Sequence, residues 1–174
     1  MTLTIRTLQT QDIAPIAQAF ARLGWNKPAI QYERYLAEQN NGQRDVLVAF
    51  VDFIFAGYVT IVWMSDYAPF RAAGIPEIVD FNVLPHYRRR HIGTQLMDEA
   101  EARIAQRAQA NQHPSVAGIG VGMYADYGAA QRMYVLRGYV PDARGLAYDI
   151  RPVQYGEQIT VDDSLALYFT KQLG

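Results

Sequence analysis

Residues 77 to 96 constrain this chain more than any other stretch: Glu77-Ile78-Val79-Asp80-Phe81-Asn82-Val83-Leu84-Pro85-His86-Tyr87-Arg88-Arg89-Arg90-His91-Ile92-Gly93-Thr94-Gln95-Leu96. An alternating strand runs into a basic turn, and a helix opens at once, with apolar residues at Ile92, Leu96, Ala100 and Ile104. The first turn of a helix has N–H groups without partners and the positive end of the macrodipole, a ready anion site. Arg88, Arg89 and Arg90 fall in that turn, so amides and guanidinium groups favour the same ligand, a phosphate or pyrophosphate.

A run of three arginines also suits a solvated charge patch or a nucleic-acid contact. Position argues otherwise: they precede a helix instead of lining one, and no second basic cluster extends the footprint. With 16 Lys+Arg against 17 Asp+Glu the formal net charge is −1, which excludes a general basic field. Cysteine is absent, which rules out disulfides, thiolate metal sites and a cysteine nucleophile. His86 and His113 show no ligand spacing, so no metal is expected. The first residues lack a leader pattern and no apolar run reaches membrane-spanning length, so a cytoplasmic protein without membrane or nucleic-acid partners is the expectation. At 174 residues and 50% hydrophobic, the chain suits a single domain with one sizeable core.

In chain order, Leu3 to Leu8 alternates as a strand, and Thr10 or Asp12 caps a helix running to about Leu23. Trp25 to Pro28 is a connector, and Ile30 to Gln39 resumes helical spacing until Asn40-Asn41-Gly42. Val46–Val51 and Ile54–Met64 read as a hairpin around Asp52-Phe53, without a glycine at its tip. Ser65 to Pro76 reads as a loop with large side chains, of the kind that touches substrates. Beyond the central helix, Val116–Tyr124 is a strand in which Gly118, Gly120 and Gly122 leave one face almost bare, open to backbone or ligand. Tyr127–Arg137 is helical, and Tyr139–Ile150, bent at Pro141 to Gly145, and Ser164–Lys171 supply the last strands. The order βααβββαβαββ predicts an α/β domain, a mixed and mostly antiparallel central sheet flanked by helices.

Two runs in this order resemble a known family. Val83-x-Pro85-x-Tyr87-Arg88-x-x-x-x-Gly93, followed some forty residues later by Ala130-x-x-x-Tyr134-x-x-x-Gly138-Tyr139, is similar to the GNAT N-acetyltransferase superfamily. The first run matches its acetyl-CoA motif, the second its later alanine, tyrosine and Gly-Phe signature. The chain departs twice: His91 stands where the first motif glycine is usual, and Tyr127 where an asparagine often precedes the alanine and tyrosine. Either the loop tolerates His91 or its imidazole adds a phosphate contact.

The resemblance implies a single GNAT-like domain over residues 1–174 and an enzyme that moves the acetyl group of acetyl-CoA to a primary amine in a ternary complex. The implied cofactor contacts are Phe81 and Val83 on the strand, Arg88, Arg89, Arg90, His91, Ile92, Gly93 and Thr94 at the turn, then Tyr127, Ala130 and Tyr134. Val83 matches the position whose backbone N–H holds the thioester carbonyl, and Tyr134 the tyrosine that protonates the departing thiolate. For the base, Glu77 aligns with a strand carboxylate used directly or through water; Asp80 is the other candidate catalytic residue. In a regular strand Glu77 shares a face with Val79, Phe81 and Val83, an apolar setting that raises a carboxyl pKa, and Asp80 faces the other way.

Acceptor segments of the family map here to Trp25, Asn26, Tyr32, Tyr35, Trp63, Asp66, Tyr67, Phe70, Arg71, Tyr124 and Asp126, with Trp63 expected in the core. Aromatics with one or two acids suit a small cationic or aromatic amine. Family members are often dimers, so a homodimer is a further expectation. His91 and the missing asparagine favour an alternative, a noncatalytic acyl-CoA-binding sensor or interaction module.

Overall fold

Alternating β-branched and aromatic residues make Arg44–Val51 (β2) and Ile54–Val62 (β3) a tight antiparallel hairpin. Its tip has Asp52 and Phe53 at φ 47 and 68, the left-handed pair that a two-residue hairpin turn requires, taken up here without glycine. Leu3–Thr7 (β1) pairs antiparallel with β2. The computed structural model describes residues 2–111 and 114–174; His113 lies outside them. The described chain forms two compact units, Met1–Trp63 with Val79–Arg103, and Met64–Ile78 with Ile104–Gly174.

In the first unit the strand order is β1-β2-β3, then Glu77–Val83 (β4) from Val79 onward. Ile13–Ala21 (α1) and Ala29–Asn40 (α2) cover this sheet. Their apolar faces bury Ile16, Phe20, Tyr32 and Tyr35 with Val46, Val48, Phe55 and Tyr58 in one core. Ile92–Asn111 (α4) begins in this unit, with Ile92, Leu96 and Ala100 buried as the spacing predicts. Gly93 lies so close to β4 that a Cβ would meet the Phe81 ring at 3.0 Å.

The second unit starts in the stretch read from the sequence as loop. It contains a short helix, Ala68–Ala73 (α3), with Pro69 in its first turn and Gly74 closing it at φ 65. Here the start of β4 pairs in parallel with Val116–Gly122 (β5) at Glu77↔Gly118 and Ile78↔Ile119. β5 then pairs antiparallel with Leu165–Gln172 (β8), and β8 with Val140–Tyr148 (β6). β6 has the expected bend, a register shift between Pro141 and Leu146. Arg151–Pro152 (β7), not foreseen, adds two residues at the edge. Gly128–Leu136 (α5) follows β5. No helix of the described residues is long and apolar enough to cross a membrane.

Candidate active site

The turn from β4 into α4 keeps two residues in the left-handed region, Arg89 at φ 58 and His91 at φ 60. Residues of opposite hand in succession turn their N–H groups to one side and make an anion-binding nest. The first α4 bond runs from Gln95 N–H to the His91 carbonyl, 3.0 Å. The N–H groups of Ile92, Gly93 and Thr94 therefore have no acceptor within the helix. His91 adopts the conformation that glycine takes at no steric cost, so the loop holds its shape with a Cβ present. The three arginines are exposed but not equivalent. Arg88 Nε donates to the Val83 carbonyl at 3.1 Å, and its guanidinium sits 6.0 Å from the Trp25 ring. Arg90 lies 5.8 Å from the Tyr87 ring.

β4 is not a regular strand. Asp80 sits at φ 49, which breaks the two-residue alternation at that point. Thr60 on β3, fully buried, donates its hydroxyl to the Val79 carbonyl at 3.0 Å beside the break, and accepts Arg44 at 2.7 Å. The Asp80 carboxylate is ringed by donors. Oδ1 accepts from Lys27 Nζ at 2.6 Å and Asn82 Nδ2 at 2.9 Å. Oδ2 accepts from Tyr58 at 2.5 Å, Gln31 at 2.9 Å and Tyr35 at 3.0 Å. Five donors fill the lone pairs of one carboxylate. Burial first, then the Asp80 charge, pushes Tyr35 up to about 12 and Tyr58 up as well, so both phenols remain donors.

Glu77 belongs to the second unit and is buried. Its expected apolar face contains a hydroxyl: buried Ser65 donates to Glu77 Oε2 at 2.5 Å and accepts the Tyr67 N–H at 3.0 Å. The Tyr67 ring stacks on Tyr168 with centroids 3.6 Å apart, and its hydroxyl donates to Asp142 at 2.9 Å. The glycine face of β5 is not open to a ligand. A Cβ at Gly118 would come within 2.3 Å of Phe70, at Gly120 within 2.9 Å of Tyr168, and at Gly122 within 2.6 Å of Tyr127. Three aromatic rings occupy the space that the glycines leave, Phe70 and Tyr168 buried and Tyr127 half-buried.

Tyr134 on α5 is buried and meets Tyr139 edge-on at 5.9 Å. Burial, with Tyr127 adding to it, pushes its phenol above the ordinary value of about 10. It therefore keeps its proton through neutral and mildly alkaline pH. Tyr127 itself lies over Gly122, at the end of the short turn that leads into α5, and Ala130 is half-buried on α5.

Of the acceptor candidates, Tyr32 and Tyr35 are buried in the first unit, and Tyr67 and Phe70 in the second. Trp25 stacks on Phe20 at 5.6 Å, and Trp63 is half-buried with Nε1 donating to Asp45 at 3.1 Å. Asn26, Asp66, Arg71 and Asp126 are exposed, and Tyr124 donates to Asp163. Sequence reasoning missed Lys27, Gln31, Tyr58 and Asn82 around Asp80, and Ser65 beside Glu77. Asn82 was the legible one: an amide two residues beyond an acid in a strand shares its face by simple alternation.

The sequence model of the acetyltransferase (GNAT) family matches residues 10–139. No curated protein matches the sequence. Solved structures do. An N-acetyltransferase from Staphylococcus aureus Mu50 has TM-score 0.69 at 13% identity, covering 100% of both chains. The PaiA N-acetyltransferase of Thermoplasma acidophilum, solved in complex with coenzyme A, has TM-score 0.65 at 14% identity, covering 99% of each. The ribosomal-protein-S18-alanine N-acetyltransferase of Escherichia coli has TM-score 0.67 at 14% identity, covering 99% of this chain and 94% of that one. These likenesses establish a shared fold, and the family match spans most of the chain, including both motif stretches. The chain belongs to the acetyltransferase (GNAT) family of acetyl-CoA-dependent N-acetyltransferases.

Proposed function

We propose that this protein transfers the acetyl group of acetyl-CoA to a primary amine of a small-molecule acceptor by direct attack. The observation that carries the reading is the nest at the head of α4, where left-handed Arg89 and His91 precede three N–H groups without helical acceptors. That nest, with Arg89 and Arg90, suits the diphosphate of coenzyme A, the ligand of the Thermoplasma protein. The amine nitrogen attacks the thioester carbon, the C–N bond forms and the C–S bond breaks. Tyr134 gives its proton to the departing thiolate. Glu77, directly or through water, takes the proton that the amine loses. The backbone N–H of Val83 is assigned to the thioester carbonyl.

The E. coli relative modifies a ribosomal protein, so the acceptor class is tested rather than assumed. Calorimetric titration with acetyl-CoA should give saturable heat, and thiol release should then be scored with alkylamines, polyamines, aminoglycosides, amino acids and peptides. Absence of heat removes the cofactor assignment; turnover with peptides alone removes the small-molecule acceptor. A homodimer is part of the same proposal, read by sedimentation.

A further inference from the structure

Within the first unit, the ammonium of Lys27 occupies a site with the makings of a ligand pocket. Its Nζ lies 2.6 Å from Asp80 Oδ1 and 3.0 Å from the Tyr58 hydroxyl. The rings of Phe20 and Tyr58 stand 5.8 and 5.6 Å from the charge, within cation–π range. Carboxylate, hydroxyl and aromatic faces around one nitrogen are the elements that recognise a primary ammonium.

Two features set this apart from an ordinary structural ion pair. Lys27 comes from the connector between α1 and α2 and not from a helix or strand that would fix it. Asp80 is held at φ 49 inside a strand, local strain of the kind that collects at working sites. Both ion-pair side chains keep some exposure, 19% for Lys27 and 18% for Asp80.

We propose that Lys27 is a resident stand-in: the Asp80 cradle is the ammonium subsite for an aliphatic primary amine, which displaces the lysine when it binds. This rests on the acetyltransferase reading for the identity of the displacing amine as the acceptor. The cradle as an ammonium site stands on geometry alone. A subsite blocked most of the time by its own side chain weakens apparent affinity by the unblocked fraction, and removing the block restores it.

The test has two arms. Lys27→Ala removes Cγ, Cδ, Cε and Nζ, the outline of n-propylammonium. Its melting temperature should rise with n-propylammonium chloride, as mass action requires, and not with sodium chloride at equal ionic strength. Lys27→Met keeps most of the stem and lacks only the final nitrogen; ammonium ion should raise its melting temperature. This variant serves if Lys27→Ala does not fold. In the second arm, with acetyl-CoA saturating, the KM for n-propylamine should fall about tenfold in the substituted protein while kcat changes little, the signature of a removed competitor. No more stabilisation than sodium gives, from n-propylammonium in Lys27→Ala or from ammonium ion in Lys27→Met, overturns the cradle. Stabilisation with an unchanged or raised KM overturns the acceptor role. Absence of acetyl-CoA binding in the parent protein overturns both that role and the transferase proposal, and leaves the first arm to decide the cradle by itself.

Discussion

Tyr134 is buried, a setting that suits the general-acid role proposed for it. Its phenol is pushed upward chiefly by desolvation, which keeps its proton on at neutral pH. Tyr134→Phe should lower turnover about 100-fold or more and leave acetyl-CoA affinity within a factor of about two, as loss of a general acid does. Equal turnover in the two proteins, measured with a competent amine, would remove Tyr134 as the acid. The sign of the shift adds a check: in an ultraviolet titration, the phenol missing from the Phe variant should be one that ionises above pH of about 10. At the turn, Arg89→Gln with Arg90→Gln should weaken coenzyme A and flatten the salt dependence of binding. Arg88→Gln should also cost stability, because Arg88 holds the Val83 carbonyl. The sequence made these basic residues legible through their place before a helix. It did not reveal that Asp80 bends its strand, since alternation assumes regular backbone, nor that a lysine fifty-three positions away reaches it.

Among the elements, β5 separates what composition says from what packing does. Three glycines at alternate positions read as an open face, and tertiary neighbours decide otherwise: Phe70, Tyr168 and Tyr127 fill it. Gly118→Ala should destabilise the protein by about 1–3 kcal/mol, the range for overpacking, in urea unfolding. Adding Phe70→Leu should recover part of that loss; no recovery would mean that the ring is not what the methyl meets. Gly93→Val should disturb the fold as well as cofactor binding, because the Phe81 ring lies against that position. Element order, helix faces and the β6 bend were readable because each is written in local periodicity or turn chemistry. The helix Ala68–Ala73 was not: six residues carry too little periodicity, and Pro69 with Gly74 reads equally as loop or as helix ends.

At the scale of the whole molecule, each of the two units carries one acidic centre, Asp80 in the first and Glu77 in the second, and the strand β4 supplies both. Acid should unfold the protein partly through an exposed contact of the second unit. Glu157 is held down to about 2 by Arg151 and by the Gln154 N–H. A depressed carboxyl contributes stability that is present above its unfolded value, about 4.3, and is lost as pH falls toward 2. Glu157→Gln should therefore reduce the slope of melting temperature against pH between those limits, and an unchanged slope would assign it to other carboxylates. The hairpin tip has a practical consequence. Phe53 is 98% exposed on a turn whose geometry Asn-Gly adopts at least cost. Exchanging Asp52-Phe53 for that pair would relieve backbone tension and remove a greasy surface knob together, giving a better-behaved sample for crystallisation without touching the chemistry.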